Sequence, residues 1–222
     1  PPRRTTSGST RVTIGGSVSD LKVQSQINFR GVPILGDLRG TIHFENDTVR
    51  IVSATSRTLG SLRFSGSVQV TPSVYLNPLK VVASKVDLAK IKTVGQLLAG
   101  KLSANVTLRG PLDPRRMVFD GWACADQVVA LGETLQDVAV WLNQKPTSLG
   151  CHNKSPSAIA RPIVDECLGV GGSAGGRCAI VRATRQKGGE IAGAVSADSR
   201  QNLGGQLQLS HLPLAAILKL AG

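Results

Sequence analysis

Few residues of this chain are of a type and spacing that could do chemistry. His43, His152 and His211 lie far apart in a sequence of 222 residues. Neither a G-x-S-x-G nor an H-E-x-x-H pattern accompanies them. The Asp and Glu residues total only 14 and fall mostly at turns, where they cap or solvate. The glycine-rich run from Gly171 to Gly176 lacks the Gly-Lys-Ser/Thr ending of a phosphate-binding loop and reads as a flexible linker. No catalytic group, cofactor or metal is expected, and the chain reads as a non-enzyme.

The four cysteines, Cys124, Cys151, Cys167 and Cys178, contain no CxxC and no Cys/His pair at metal-ligand spacing. Cys151 and His152 are adjacent and chelate one ion poorly. An even count of this kind fits two disulfides in an oxidising compartment, against the alternative of four buried thiols in a reducing one. The expected pairs are Cys124 with Cys178 and Cys151 with Cys167. The second pair would close a loop and offset part of its ordering entropy.

The net charge of +12 predicts attraction to an anionic surface. Nucleic acid is the first class to test, and it fits badly. The basic residues are scattered, with only Arg3-Arg4 and Arg115-Arg116 adjacent, and no strand carries the clustered aromatics on which bases stack. A basic face beside anionic lipid head groups accounts for the charge better. The composition says as much. Aromatics make up 3% of the chain, so its apolar surface is almost all Val, Leu, Ile and Ala. Twenty-five Gly and eleven Pro suit many short strands joined by turns.

The elements that carry this aliphatic surface are strands. Leu102, Ala104, Val106 and Leu108 alternate with Ser103, Asn105, Thr107 and Arg109, the period of a strand with one apolar and one wet face. The segment Gly110 to Pro114 stops it, a second strand leaves at Met117, a turn falls at Leu131-Gly132-Glu133, and a third strand ends near Leu142. Upstream, Arg11 to Ile14 and Leu21 to Phe29 form an opening pair. Asp37 to Phe44 and Thr48 to Ala54 form a hairpin around Glu45-Asn46-Asp47. Leu62 to Val70 alternates again, Pro72 and Pro78 bracket a loop, and Leu79 to Val86 follows. Asp87 caps a short helix with Leu88, Ile91 and Val94 on one stripe.

The chain divides into a lead-in at 1–10, a strand-rich region at 11–143, a cysteine-containing inserted loop at 144–176, and a second strand-rich region at 177–222 ending in a short helix. The last region repeats the first. Ile191 to Ala197 lies over Phe64 to Val70, and Leu212 to Ile217 lies over Val86 to Ile91. A unit repeated in this way points to a quasi-linear stack with a continuous core. There is no apolar run of 18 or more residues, and the abrupt start at Pro1-Pro2-Arg3-Arg4 reads as an excised piece of something longer.

The run from Gly100 to Leu142 resembles the TamB and AsmA-like family, in which a G-x-L-x-a-x-l-x-L-x-G-P-L-x-x-P strand and turn precedes two further strands. Gly100, Leu102, Ala104, Val106, Leu108, Gly110, Pro111, Leu112 and Pro114 occupy those places. The likeness covers residues 36–143 well and 177–220 less well, and it omits the insert between Cys151 and Cys167. It implies an all-β protein, an elongated antiparallel meander curled into a taco-like groove with an apolar interior. It also implies a periplasmic location in a parent chain anchored in the inner membrane, this piece being soluble. Phospholipid acyl chains would be the cargo, moving between inner and outer membrane, and an outer-membrane barrel of the TamA/BamA type a partner.

Simple energetics agree with such a role. At about 0.8 kcal/mol per methylene, an acyl chain of about 16 carbons loses about 13 kcal/mol on entering water. An aliphatic lining offsets most of that with no hydrogen-bond geometry at all. About a dozen strands would stack over about 55 Å. The expected lining residues are Ile42, Phe44, Val49, Ile51, Leu62, Phe64, Val68, Val70, Leu102, Ala104, Val106, Leu108, Ile191, Val195, Leu207 and Leu209. Two alternatives stand beside this: an ordinary closed core, and a structural or assembly module that docks an outer-membrane barrel without carrying lipid.

Overall fold

The computed structural model describes residues 7–17, 20–32, 36–45, 47–56, 60–70, 72–91, 98–113, 116–130, 133–144, 161–171, 176–198 and 202–211. These form twelve strands, β1 (Ser7–Ser17), β2 (Asp20–Val32), β3 (Gly36–Glu45), β4 (Thr48–Ser56), β5 (Ser61–Gln69), β6 (Tyr75–Asp87), β7 (Leu98–Pro111), β8 (Val118–Ala130), β9 (Glu133–Leu142), β10 (Arg177–Arg185), β11 (Glu190–Ala197) and β12 (Leu203–Ser210). They lie in one antiparallel sheet in strict sequence order, not closed on itself, so β1 and β12 are its edges. One helix, α1 (Arg161–Gly171), and a 3-10 turn at Leu88–Lys90 complete the described elements. The all-β meander expected from the alternating pattern is therefore present.

The chain divides into two compact units, one of residues 1–86 and 107–117, the other of 87–106 and 118–222. In the first unit the cross-strand pairs sort the side chains by face, because directly opposed residues share one. Ile14 opposes Val23, Val23 opposes Phe44, Phe44 opposes Val49, and Val49 opposes Val68. The intervening residues put Thr13 beside Gln24, Gln24 beside His43, and His43 beside Arg50. One face is thus aliphatic and the other polar. The buried members of this unit's strands include Ala54, Leu62, Leu76 and Ala83 on the aliphatic face, while Arg11, Arg39, Arg50 and Arg63 on the polar face are exposed.

Several local expectations hold and several are corrected. The β3–β4 hairpin turns through Asp47 at φ +59°, with Glu45 opposite Thr48. Asp87 caps the 3-10 turn, its Oδ1 accepting from the Ala89 N–H at 3.2 Å. β1 starts at Ser7, inside the stretch read as a lead-in, because Ser7 to Thr10 pair with Ile27 to Arg30 of β2. Pro78 lies within β6 rather than in a loop. It falls where the β5–β6 register shifts between Ser65 and Ser67, and an irregularity of that kind accommodates a residue with no N–H to donate.

In the second unit both faces of the sheet are apolar. Trp122 opposes Trp141, Trp141 opposes Ile180, and Ile180 opposes Ala194. On this face Cys124, Ala139, Trp141, Cys178, Ile180, Ala192 and Ala194 form a buried cluster with Cys167 of α1, against which Val164 and Leu168 of the helix pack. The stretch read as an inserted loop therefore contains the helix that closes this core; residues 145–160 and 172–175 lie outside the described set. Two ion pairs clasp the strands, Arg185 Nη2 to Glu133 Oε2 at 2.8 Å and Arg182 Nε to Glu190 Oε1 at 2.6 Å.

The disulfide pattern is a correction. Cys178 is bonded to Cys167, with Cα atoms 5.4 Å apart, and not to Cys124. Cys124 is a buried thiol outside the bridge. Cys167 is therefore not paired with Cys151, which lies outside the described residues. The physical reason is α1: as a helix packed on β10 and β11, it carries Cys167 to the strand start at Cys178.

Candidate functional site

The expected lining residues of the first unit come together on its aliphatic face. Phe44, Val49 and Val68 form one row across β3, β4 and β5, and Ile42 opposes Ile51 in the next. Beyond a register shift in β4, Phe64 opposes Ala54 and Leu62 opposes Ser56. Val70 does not join them. It lies past the end of β5, exposed, with its N–H donating to the Asp47 carbonyl at 2.9 Å. The expected lining left out β2, read only as one of an opening pair of strands, whose Val23, Ile27 and Phe29 extend the same face toward Ile14 and Val12. At that edge Val12 and Ile14 are 51% and 67% exposed.

On β7, Leu102, Ala104 and Val106 alternate with Lys101, Ser103 and Asn105 as expected, Ala104 being buried. Leu102 packs against a small cluster of Leu88, Ala125 and Val128, so it is covered in part by the protein itself. Leu108 continues the alternation on the part of β7 that belongs to the first unit.

Ile191, Val195, Leu207 and Leu209 share the face of the second unit that α1 does not cover. Ile191 opposes Leu209, Gly193 opposes Leu207, and Val195 opposes Gly205. The same rows run back through Ala179, Val181 and Ala183 of β10 to Val140 and Leu142 of β9 and Ala123 of β8. Val195 and Leu207 are 51% and 61% exposed, and Leu203 is more so. These extra rows escaped the sequence reading because β8 and β10 are apolar on both faces. A strand of that kind shows a near-continuous hydrophobic run and loses the period-2 signal.

A charged group interrupts this second aliphatic face. Arg177 opposes Ala197 on the face opposite Cys178, and its guanidinium carbon lies 5.9 Å from the Phe119 ring centroid. The strand ends around it are pinned by Asn143, at φ +49°. Its Nδ2 donates to the Phe119 carbonyl at 2.8 Å, and its Oδ1 accepts from the Cys178 N–H at 2.6 Å.

The three histidines are not brought together among the described residues. His43 sits on the polar face beside Arg50, His211 follows β12 and is exposed, and His152 is outside the described residues. Among the described residues no group of three or more His, Cys, Asp or Glu side chains could hold a metal ion, and no helix is long and apolar enough to cross a membrane. Trp141 is a core residue beneath α1. Comparison with protein-family models, curated proteins and solved structures yields no match.

Proposed function

We propose that this chain is a segment of a hydrophobic groove that carries phospholipid acyl chains between the inner and outer membranes. The observation that carries the reading is the aliphatic face in each unit, rows of Val, Leu, Ile and Phe with exposed members at Val12, Ile14, Val195 and Leu207. The helix α1 covers the other face of the second unit, so the chain closes a core where it needs one. Contiguous exposed apolar surface on a soluble domain marks an interaction site. A surface that offers no hydrogen-bonding geometry suits an acyl chain better than a polar ligand.

The resemblance of residues 36–143 to the TamB and AsmA-like family supports the same reading and supplies the taco-like curl of the sheet. The Cys167–Cys178 bond is compatible with a periplasmic location. Native mass spectrometry with lipid extraction tests the proposal. Co-purifying phospholipid, lost in Val68→Glu or Val106→Glu, is the expected result. A protein that is empty, and whose fold and mass are indifferent to those charges, would overturn it.

A second reading has its own observation. β1 and β12 each pair on one side only, and an unpaired edge can add a strand from another chain. In that case the protein is an assembly module that docks an outer-membrane barrel of the TamA/BamA type. Edge-blocking Pro substitutions at Thr10 and Gln206 would then abolish the complex while leaving bound lipid unchanged.

A further inference from the structure

We propose that Arg177 holds the anionic head of an amphiphile whose acyl tail lies along the uncovered aliphatic face of the second unit. The inference rests on the lipid-groove reading and adds to it a head-group site. Its starting point is an anomaly. Arg177 Nε and Nη2 are both enclosed and have no hydrogen-bond partner among the described residues. Buried charged donors without partners are costly and rare in native proteins.

Phe119 does not resolve the anomaly. Its ring lies 5.9 Å from the guanidinium carbon, a distance suited to cation–π attraction. That contact uses the π-face of an aromatic ring, whereas the guanidinium N–H groups donate in the guanidinium plane. Glu190 is taken by Arg182 and Glu133 by Arg185, and Asp120, next to Phe119 on β8, alternates to the other face of the strand. The fork of donors matches a phosphate or carboxylate, which accept two parallel hydrogen bonds.

Position supplies the rest. Arg177 opposes Ala197, which opposes Leu203, and it stands two residues along β10 from Ala179, which opposes Val195. Val195, Leu203 and Leu207 are exposed, whereas Ala183 and Ile191 at the far end of the rows are buried. From Arg177 to the exposed Leu207, which lies in the row of Val181, the surface runs four residues along and two strands across, about 16 Å. One leaflet of a bilayer's hydrocarbon core is about 15 Å deep, so an acyl chain anchored at Arg177 fits within the rows. A cation at one end and aliphatic surface along the remainder complement a single amphiphile with an anionic head.

The experiment uses the full chain and three probes: dodecyl phosphate, neutral dodecyl maltoside and inorganic phosphate. Affinities are measured by calorimetry for the wild type, Arg177→Gln and Arg177→Lys, with circular dichroism checking each fold. We expect Arg177→Gln to weaken dodecyl phosphate about tenfold and dodecyl maltoside not at all. Arg177→Lys, which keeps the charge and loses the fork, should recover part of the loss. Both amphiphiles binding all variants alike would overturn the head-group site and leave the groove reading standing. Inorganic phosphate binding as tightly as dodecyl phosphate would overturn it in favour of a free-anion site. Neither amphiphile binding the wild type would overturn both readings. If Arg177→Gln fails to fold, Arg177→Lys against the wild type decides, because loss of the fork alone must lower dodecyl phosphate affinity and leave dodecyl maltoside unmoved.

Discussion

Cys167 of α1 is bonded to Cys178 at the start of β10, across a sequence separation of 11 residues. The bond fastens the helix over Trp141 and Ile180, the most enclosed large side chains of the sheet. A covalent loop of this size restricts the unfolded chain by about 2–3 kcal/mol. Replacing both cysteines with Ser should lower the melting temperature by about 5–10 °C in calorimetry. Reductant should lower the wild type alike and leave the double variant unmoved. Non-reducing peptide mapping should link the peptides of Cys167 and Cys178, and a link from Cys178 to Cys124 would contradict the arrangement.

The two faces of the second unit should respond differently to truncation. Ile180 is 0% exposed beneath α1, so Ile180→Ala should cost about 2–5 kcal/mol in urea unfolding. Val195 is half exposed on the opposite face, and Val195→Ala should cost well under about 1 kcal/mol. The proposed function adds that Val195→Ala weakens lipid retention although it barely moves stability.

Two glycines give opposite signs. Gly121 has φ +140°, and a Cβ there would run into the Asn105 carbonyl oxygen. Gly121→Ala therefore forces backbone apart in a strained conformation and should destabilise by more than about 1 kcal/mol. Gly169 is in α1 with open space where a Cβ would go. Gly169→Ala should stabilise by up to about 1 kcal/mol. Denaturant midpoints of the two variants check both signs.

The Arg185–Glu133 pair is sheltered, its side chains only 10% and 12% exposed. Removing one charge strands the other, so Glu133→Gln should cost about 3 kcal/mol. A double-mutant cycle with Arg185→Met should recover much of that loss, and added salt should change it little.

The strands of the first unit were legible because each buries one face, so Leu62, Phe64 and Val68 alternate cleanly with Arg63 and Ser67. The hairpin at Asp47 and the cap at Asp87 were legible from turn chemistry. The facing of β10 was not, because Cys178 and Ile180 face the α1 core while Ala179 and Val181 face the other way, leaving no alternation to read. The disulfide was misread for a related reason. A helix spanning Arg161–Gly171 brings Cys167 to Cys178, and cysteine spacing alone carries no trace of that packing. Arg177 gave no sequence signal at all, since its interest lies in donors left without partners by the fold.

The most direct test of the groove is site-specific photocross-linking in cells that export the protein to the periplasm. A photoreactive residue would replace Val68 or Val195 on the aliphatic faces, or Arg50 or Lys187 on polar surface. Phospholipid adducts at Val68 and Val195, with none at Arg50 or Lys187, are the result the lipid-groove account predicts. No adducts at any position, or equal adducts at all of them, would contradict it.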